Sequence, residues 1–272
     1  MASFAKYLPG APLLLLLLIA PLSDAMAAGL TAGQVREVLA ATPAGQGADF
    51  AGKSLAGLDL RDLNFSQANL SDADLSGADL SGTDLRGAKL VGANLTDAKL
   101  VAAKFNLAWI MRANFTRADL SNAILETLVV SAGMETKPDE TAIFVDSNLS
   151  GAQVMARFAL DDMRGANLSR IKASADMRNQ SMGLIRADFS RADLTGARFT
   201  GASLAHAKFH FTKLVKANFT DADLTAADFT GAYLSGADFT RATLTGTIFD
   251  SADLRETVGL KDLKSSGDAT GD

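Results

Sequence analysis

A large apolar side chain recurs at every fifth position from Phe50 to Leu125, sixteen times without a slip. The pattern returns from Leu184 to Leu254 for fifteen more, all of them Leu or Phe. Two residues before the centres the side chain is mostly small, Ala in twelve of the sixteen units and in twelve of the fifteen. A period of five matches neither a helix, at about 3.6, nor a flat strand, at about 2. A short repeat sustained over most of a chain builds a solenoid, in which each unit buries its apolar face only by stacking on its neighbours.

The unit translates into geometry. With the centre i and the small residue i−2 pointing inward, positions i−1, i+1 and i+2 face water, and they are Asp, Asn, Lys, Ser, Thr, Gly and Arg. Three extended residues followed by two polar turn formers make a short side and a corner. In the second series the centres alternate, from Phe189 and Leu194 through Phe209, Leu214, Phe229 and Leu234 to Phe249 and Leu254. This ten-residue super-period fits a four-sided coil of about twenty residues, with Phe ladders on two opposite sides and Leu ladders on the other two. The first series does not alternate in this way.

Stretches such as Ala73-Asp74-Leu75-Ser76-Gly77 and Ala222-Asp223-Leu224-Thr225-Ala226 resemble the pentapeptide-repeat family. The resemblance covers roughly residues 48–254 and is interrupted in the middle. It implies an all-β fold, a right-handed quadrilateral β-helix. It implies little about function, because a fold of this kind hosts proteins with no shared activity.

The rest of the chain divides around the repeats. Residues 1–27 read as a signal peptide: Lys6 precedes the apolar core Leu13–Ile19, and Ala25-Met26-Ala27 supplies small residues for cleavage after Ala27. That core is too short for a membrane span, so no stable anchor is expected after cleavage, and the protein is expected to be periplasmic or secreted. Residues 28–47 form a capping α-helix and linker, with a capping box at Thr31 and Gln34, an apolar stripe of Val35, Val38 and Leu39, and a stop at Pro43. A lid is needed because an open solenoid end exposes strand amides and apolar side chains. The first repeat block is 48–130 and the second 184–256, with an irregular middle at 131–183. At the far end, 257–272 holds a smaller lid of Val258, Leu260 and Leu263 before a polar tail from Ser265 that is expected to be disordered.

Regularity fails in the middle. Centres move by one register at Phe144, Leu149 and Val154 and by another at Phe158, Met163 and Leu168, and Leu184 restores the earlier shift. Such changes need loops or bulges, and Met134–Glu140 reads as the best loop. Five of the eight methionines, Met134, Met155, Met163, Met177 and Met182, lie there; they read first as filler where packing is imperfect, and second as an adaptable binding surface.

No chemistry-bearing constellation emerges. There is no cysteine, so disulfides, thiol catalysis and thiolate metal sites are excluded. His206 and His210 are the only histidines and fall at turn positions. No catalytic, cofactor-binding or metal-binding residue is assigned, and an enzyme is not expected. Charge is banded instead: Asp72, Asp74, Asp79 and Asp84 precede Arg86, Lys89, Lys99 and Lys104, and Lys208, Lys213 and Lys216 precede Asp221, Asp223, Asp228 and Asp238. Adjacent bands either neutralise one another or mark a face for a partner. Candidate interaction residues are Met134, Lys137 and Met155 in the middle and Lys208, Lys213 and Lys216 in the basic band.

Two functions remain in view. One is a non-enzymatic exported scaffold or interaction solenoid with an unknown protein partner in the cell envelope and no nucleic acid. The alternative, for a cytoplasmic product, is a DNA-mimicking modulator of a topoisomerase, a role the family resemblance suggests. That role requires pervasive negative potential, and the basic bands oppose it.

Overall fold

The computed structural model describes residues 29–126, 128, 130, 136–174 and 186–260. The expected signal peptide, the polar tail with Leu263, Leu184, Met134, Met177 and Met182 lie outside them.

Each unit is a short straight side followed by a corner. Residue i−1 forms a parallel bridge to the coil above: Asp49 pairs with Asn69, Asn69 with Lys89 and Lys89 with Trp109, twenty residues apart each time. Twenty residues are four units, so each coil has four sides. The backbone leaves few orphans, because it bonds along the stack. Leu75 N donates to Asn94 O at 2.8 Å, and Asp74 N donates the other way to Lys53 O at 2.9 Å. Corners close when the i−2 amide bonds the previous centre, as Ala78 N does to Leu75 O at 3.1 Å. The i+2 residue then adopts a left-handed backbone, with φ of 64° at Gly77 and 55° at Asp72. Gly tolerates that conformation at no steric cost, and Asp and Asn are the next best.

The Asp and Asn residues at i−1 do more than meet water, as the sequence reading had them. Asp74 Oδ1 accepts from Ser76 N at 3.1 Å, and Asp223 Oδ1 accepts from Thr225 N at 3.0 Å. The side chain reaches two residues on and holds the start of the corner, an Asx turn.

Inside, the expected ladders are present. Phe209 stacks on Phe229 with centroids 4.6 Å apart and planes at 3°, and Phe199 stacks on Phe219 at 4.8 Å on the opposite side. Across the axis the two ladders meet edge to face, Phe209 against Phe219 at 5.9 Å and 86°. Leu194, Leu214 and Leu234 are fully buried on the side between them. The i−2 column is mostly Ala, and its buried polar exceptions are Thr83, Ser147, Asp161 and Thr212. Three of these are satisfied within the coil: Thr83, Ser147 and Thr212 donate to the carbonyls of Leu80, Phe144 and Phe189 at 2.6, 2.7 and 2.8 Å.

The amino-terminal lid forms as α1, Ala32–Ala41. Thr31 accepts from Gln34 N while Thr31 N donates to the Gln34 side chain, which completes the capping box. Val35 is fully buried and Leu39 packs against the core. Val38 departs from the expected stripe and stays exposed. Leu30 N bonds Ser54 O at 3.2 Å and the Arg36 guanidinium bonds Asp59 O at 3.0 Å, so the helix is tied to the first coil by polar contacts as well. At the other end Val258 is no lid. It makes a further bridge, to Asp238, and is half exposed, while Leu260 packs against the core.

Candidate functional site

The interrupted middle has a simple geometry once the four sides are followed separately. The second side runs unbroken through Asn114, Ile143, Asp162 and Asp193, and the third through Asp119, Asn148, Asn167 and Arg198. Their spacings are 29, 19 and 31 residues in place of twenty. The fourth side keeps pace through β1, Ile124–Glu126, paired in parallel with β2, Gln153–Met155, and on to Lys172 and Ser203. Only the first side is interrupted among the described residues: Trp109 has no bridge onward, and the row resumes at Arg157 and Asp188. Each change of length therefore falls between the fourth side and the first. Nine residues are added between Glu126 and Ala142, one is lost between Gln153 and Arg157, and eleven are added between Ser174 and Asp188. Three successive passes of one corner absorb every irregularity.

A depression of about 210 Å³ lies at that corner, lined by Glu126, Gln153, Met155, Lys172, Ser174 and Ser203. Here β1 and β2 continue straight where regular units would turn, which lays Glu126 and Met155 along the rim. Glu126 accepts from Asn106 Nδ2 at 3.2 Å, and the Ser174 and Ser203 hydroxyls are 2.6 Å apart. Lys172 is exposed, and among the described residues no carboxylate lies within 4.0 Å of its amine.

The root of the first insertion rests on a buried carboxyl. Asp161 occupies an i−2 position, is 1% exposed, and accepts from Ala142 N at 2.9 Å. That amide would close an ordinary corner on the preceding centre, but the insertion has displaced its partner. The second oxygen, Oδ2, has no hydrogen-bond partner. Burial pushes the carboxyl up to about 8, opposed by the Ala142 hydrogen bond. An Asp where the column has Ala was the sequence signal for this site, and the sequence reading did not use it.

The candidate residues do not converge. Met155 lines the depression. Lys137 is exposed in the returning segment, its amide donating to Glu140 Oε2 at 3.3 Å. Lys208 stands on the first side and Lys213 on the second, and Lys216 sits at the corner beyond it. The basic band thus winds around the rod and forms no single face. Its charge is offset along the stack: Lys208 lies between Asp188 and Asp228, and Lys213 Nζ is 3.5 Å from Asp193. His210 Nε2 contacts Asp228 Oδ2 at 2.6 Å, and among the described residues no group of three metal-ligating side chains is found.

Arginines pair with aspartates by two recurrent devices. Within a unit, Asp84 meets Arg86 at 2.5 Å and Asp162 meets Arg164 at 2.6 Å. Across one coil, Asp97 meets Arg117 and Asp221 meets Arg241, both at 2.6 Å. The guanidinium hydrogen bonds hold these carboxyls below the ordinary carboxylate range.

Comparison with known proteins agrees with this architecture. The family model of pentapeptide repeats matches eight copies over residues 46–126 and 184–258, more than half of the chain. HetL, a pentapeptide repeat protein involved in heterocyst differentiation regulation in the cyanobacterium Nostoc sp. strain PCC 7120, is 26% identical. The match covers 84% of this chain and 97% of HetL, with a TM-score of 0.56. QnrB1, a plasmid-mediated fluoroquinolone resistance protein, is 18% identical over 75% of this chain and 90% of its own, with a TM-score of 0.38. The likeness to HetL implies the right-handed β-helix solenoid. No curated protein matches the sequence.

Proposed function

We propose, from the premise that the chain belongs to the pentapeptide-repeat family, that it is a non-enzymatic exported scaffold that captures a protein partner of the cell envelope at its broken corner. One observation carries the reading: all three length changes fall at the same corner, whose described residues line one depression, while the second and third sides run on in unbroken rows. A regular side offers a partner the same surface every coil, so it cannot fix a register, whereas the broken corner occurs once. Export rests on Lys6, the apolar run Leu13–Ile19 and Ala25-Met26-Ala27. A net charge of only −5 and the basic residues along the first and fourth sides favour the scaffold over a DNA-mimicking modulator of a topoisomerase, because a duplex mimic needs pervasive negative potential.

The test is made in cells. A photo-crosslinking side chain at Met155 should trap a partner in the envelope fraction, and one at Asn148 on the third side should trap none. The mature chain should begin after Ala27. Equal trapping at both positions, or an uncleaved cytoplasmic product, overturns the proposal.

A further inference from the structure

Following the outward i−1 residues side by side exposes a charge asymmetry that the linear sequence hides. From Lys89 to Ser203 the first and fourth sides carry Lys89, Lys104, Arg157 and Lys172 against Asp188 alone. Over the same coils the second and third sides carry Lys99 and Arg198 against Asp119, Asp162 and Asp193. A chain of net charge −5 thus turns a basic edge toward the broken corner. Elsewhere the arginines in ion pairs are each held by an aspartate, but among the described residues no carboxylate lies within 4.0 Å of the amines of Lys89, Lys104 or Lys172. These amines steer an anionic partner toward the depression.

The depression's dimensions set the form of that partner. Its lining steps along the fourth side from Glu126 through Gln153 and Lys172 to Ser203, one residue from each of four successive coils. Three steps at about 4.8 Å span roughly 14 Å, the length of about four extended residues. Hydrogen-bonding side chains line it throughout: Gln153 at the centre, the Ser174–Ser203 hydroxyl pair at one end, Glu126 at the other. Met155 supplies the one adaptable apolar contact. Lys172 is the cation of the lining, so a carboxylate is accepted at its end.

We propose that the broken corner is a docking groove for an extended acidic peptide segment of the partner, laid along the rod axis with a carboxylate against Lys172. This rests on the capture function proposed above and names the chemistry of its site.

The full-length chain is tested by fluorescence anisotropy with labelled, end-blocked six-residue peptides in which Asp or Glu is walked through a Ser/Val background. Binding should depend on the position of the acid. Lys172→Glu should weaken the best peptide at least tenfold and gain binding to its Lys-substituted counterpart. Lys213→Glu makes the same charge change on the second side and should alter affinity less than twofold. No peptide binding, or equal losses in the two variants, overturns the inference. So does binding to vesicles rich in phosphatidylglycerol, lost in Lys172→Glu, in the absence of peptide binding. If the Met155 crosslink still traps a protein while every peptide fails, the groove assignment falls and the scaffold function stands; loss of the crosslink removes both.

Discussion

The coils from Asp188 to Val258 and the passage between Glu126 and Asp188 are built from the same unit, yet they solve different problems. In the former, four rows advance twenty residues at a time and the axis is a continuous double ladder of Phe rings. In the latter the rows advance by 29, 19 and 31, yet the core does not loosen: Phe144, Phe158, Met163 and Leu168 are as fully buried as Phe209. Phe158 stacks on Phe189 at 5.5 Å, carrying the ring ladder from one region into the other. The difference teaches that a solenoid of this kind separates packing from length. Corners face water and can lengthen, and the remaining three sides keep their rows provided every change falls at the same corner.

The comparison is broken most severely by removing a ring from the regular ladder. Phe209→Ala should cost about 3–5 kcal/mol in urea unfolding, since the cavity lies between Phe189 at 5.1 Å and Phe229 at 4.6 Å and neither neighbour can collapse into it. A cost near that of a surface truncation would show that the ladder does not bear the stability of the coil. The next effect belongs to the middle and has the opposite sign. Asp161 has a folded-state value raised from the ordinary 3.8 to about 8. The stability it contributes is therefore complete below 3.8 and lost as pH rises toward 8. Asp161→Asn keeps an acceptor for Ala142 N and cannot ionise. It should fall below the wild type near pH 4, where its amide hydrogens are left unpaired, and gain on it by several kcal/mol between pH 4 and pH 8 as the wild-type carboxyl is forced towards its charged form. A constant difference across that range would mean the buried carboxyl titrates normally.

Smaller effects test the boundaries. Thr31→Ala removes the capping box of α1 and should cost about 1 kcal/mol. Hydrogen exchange should rise around Ser54 and Asp59 and stay unchanged beyond Asp188, because repeat units are coupled chiefly to their neighbours. Lys213→Ala should change stability by less than about 0.5 kcal/mol, since its contact with Asp193 is solvent-exposed. A larger loss would show that the charged rows hold the coils together.

Much of this was legible in the residues. The five-residue period dictated the coil, the Phe–Leu alternation its four sides, and Thr31 with Gln34 the capping helix. The register shifts at Phe144 and Phe158 showed that the middle was broken. What they did not show was that both insertions leave the same corner, because a shift counted along the chain carries no angular position until it is divided by the length of a coil. The same reason keeps the basic band from forming one face. Lys208, Lys213 and Lys216 are close in sequence, but five residues advance the chain by a quarter turn, so neighbours in sequence look in different directions. The face that does gather charge, Lys104, Lys172 and their companions, is assembled from residues far apart in the chain.

The hydrogen bonds of every row run along the rod axis, with the chain wound across them. Tension applied to the two ends would therefore load one coil at a time, and the molecule would yield by unwinding in steps. Each regular coil holds twenty residues, so each step would lengthen the chain by roughly 65–70 Å at about 3.5 Å per residue. The unequal coils of 29, 19 and 31 residues would interrupt that even series with one short step between two long ones, a mechanical signature of where the corner is broken.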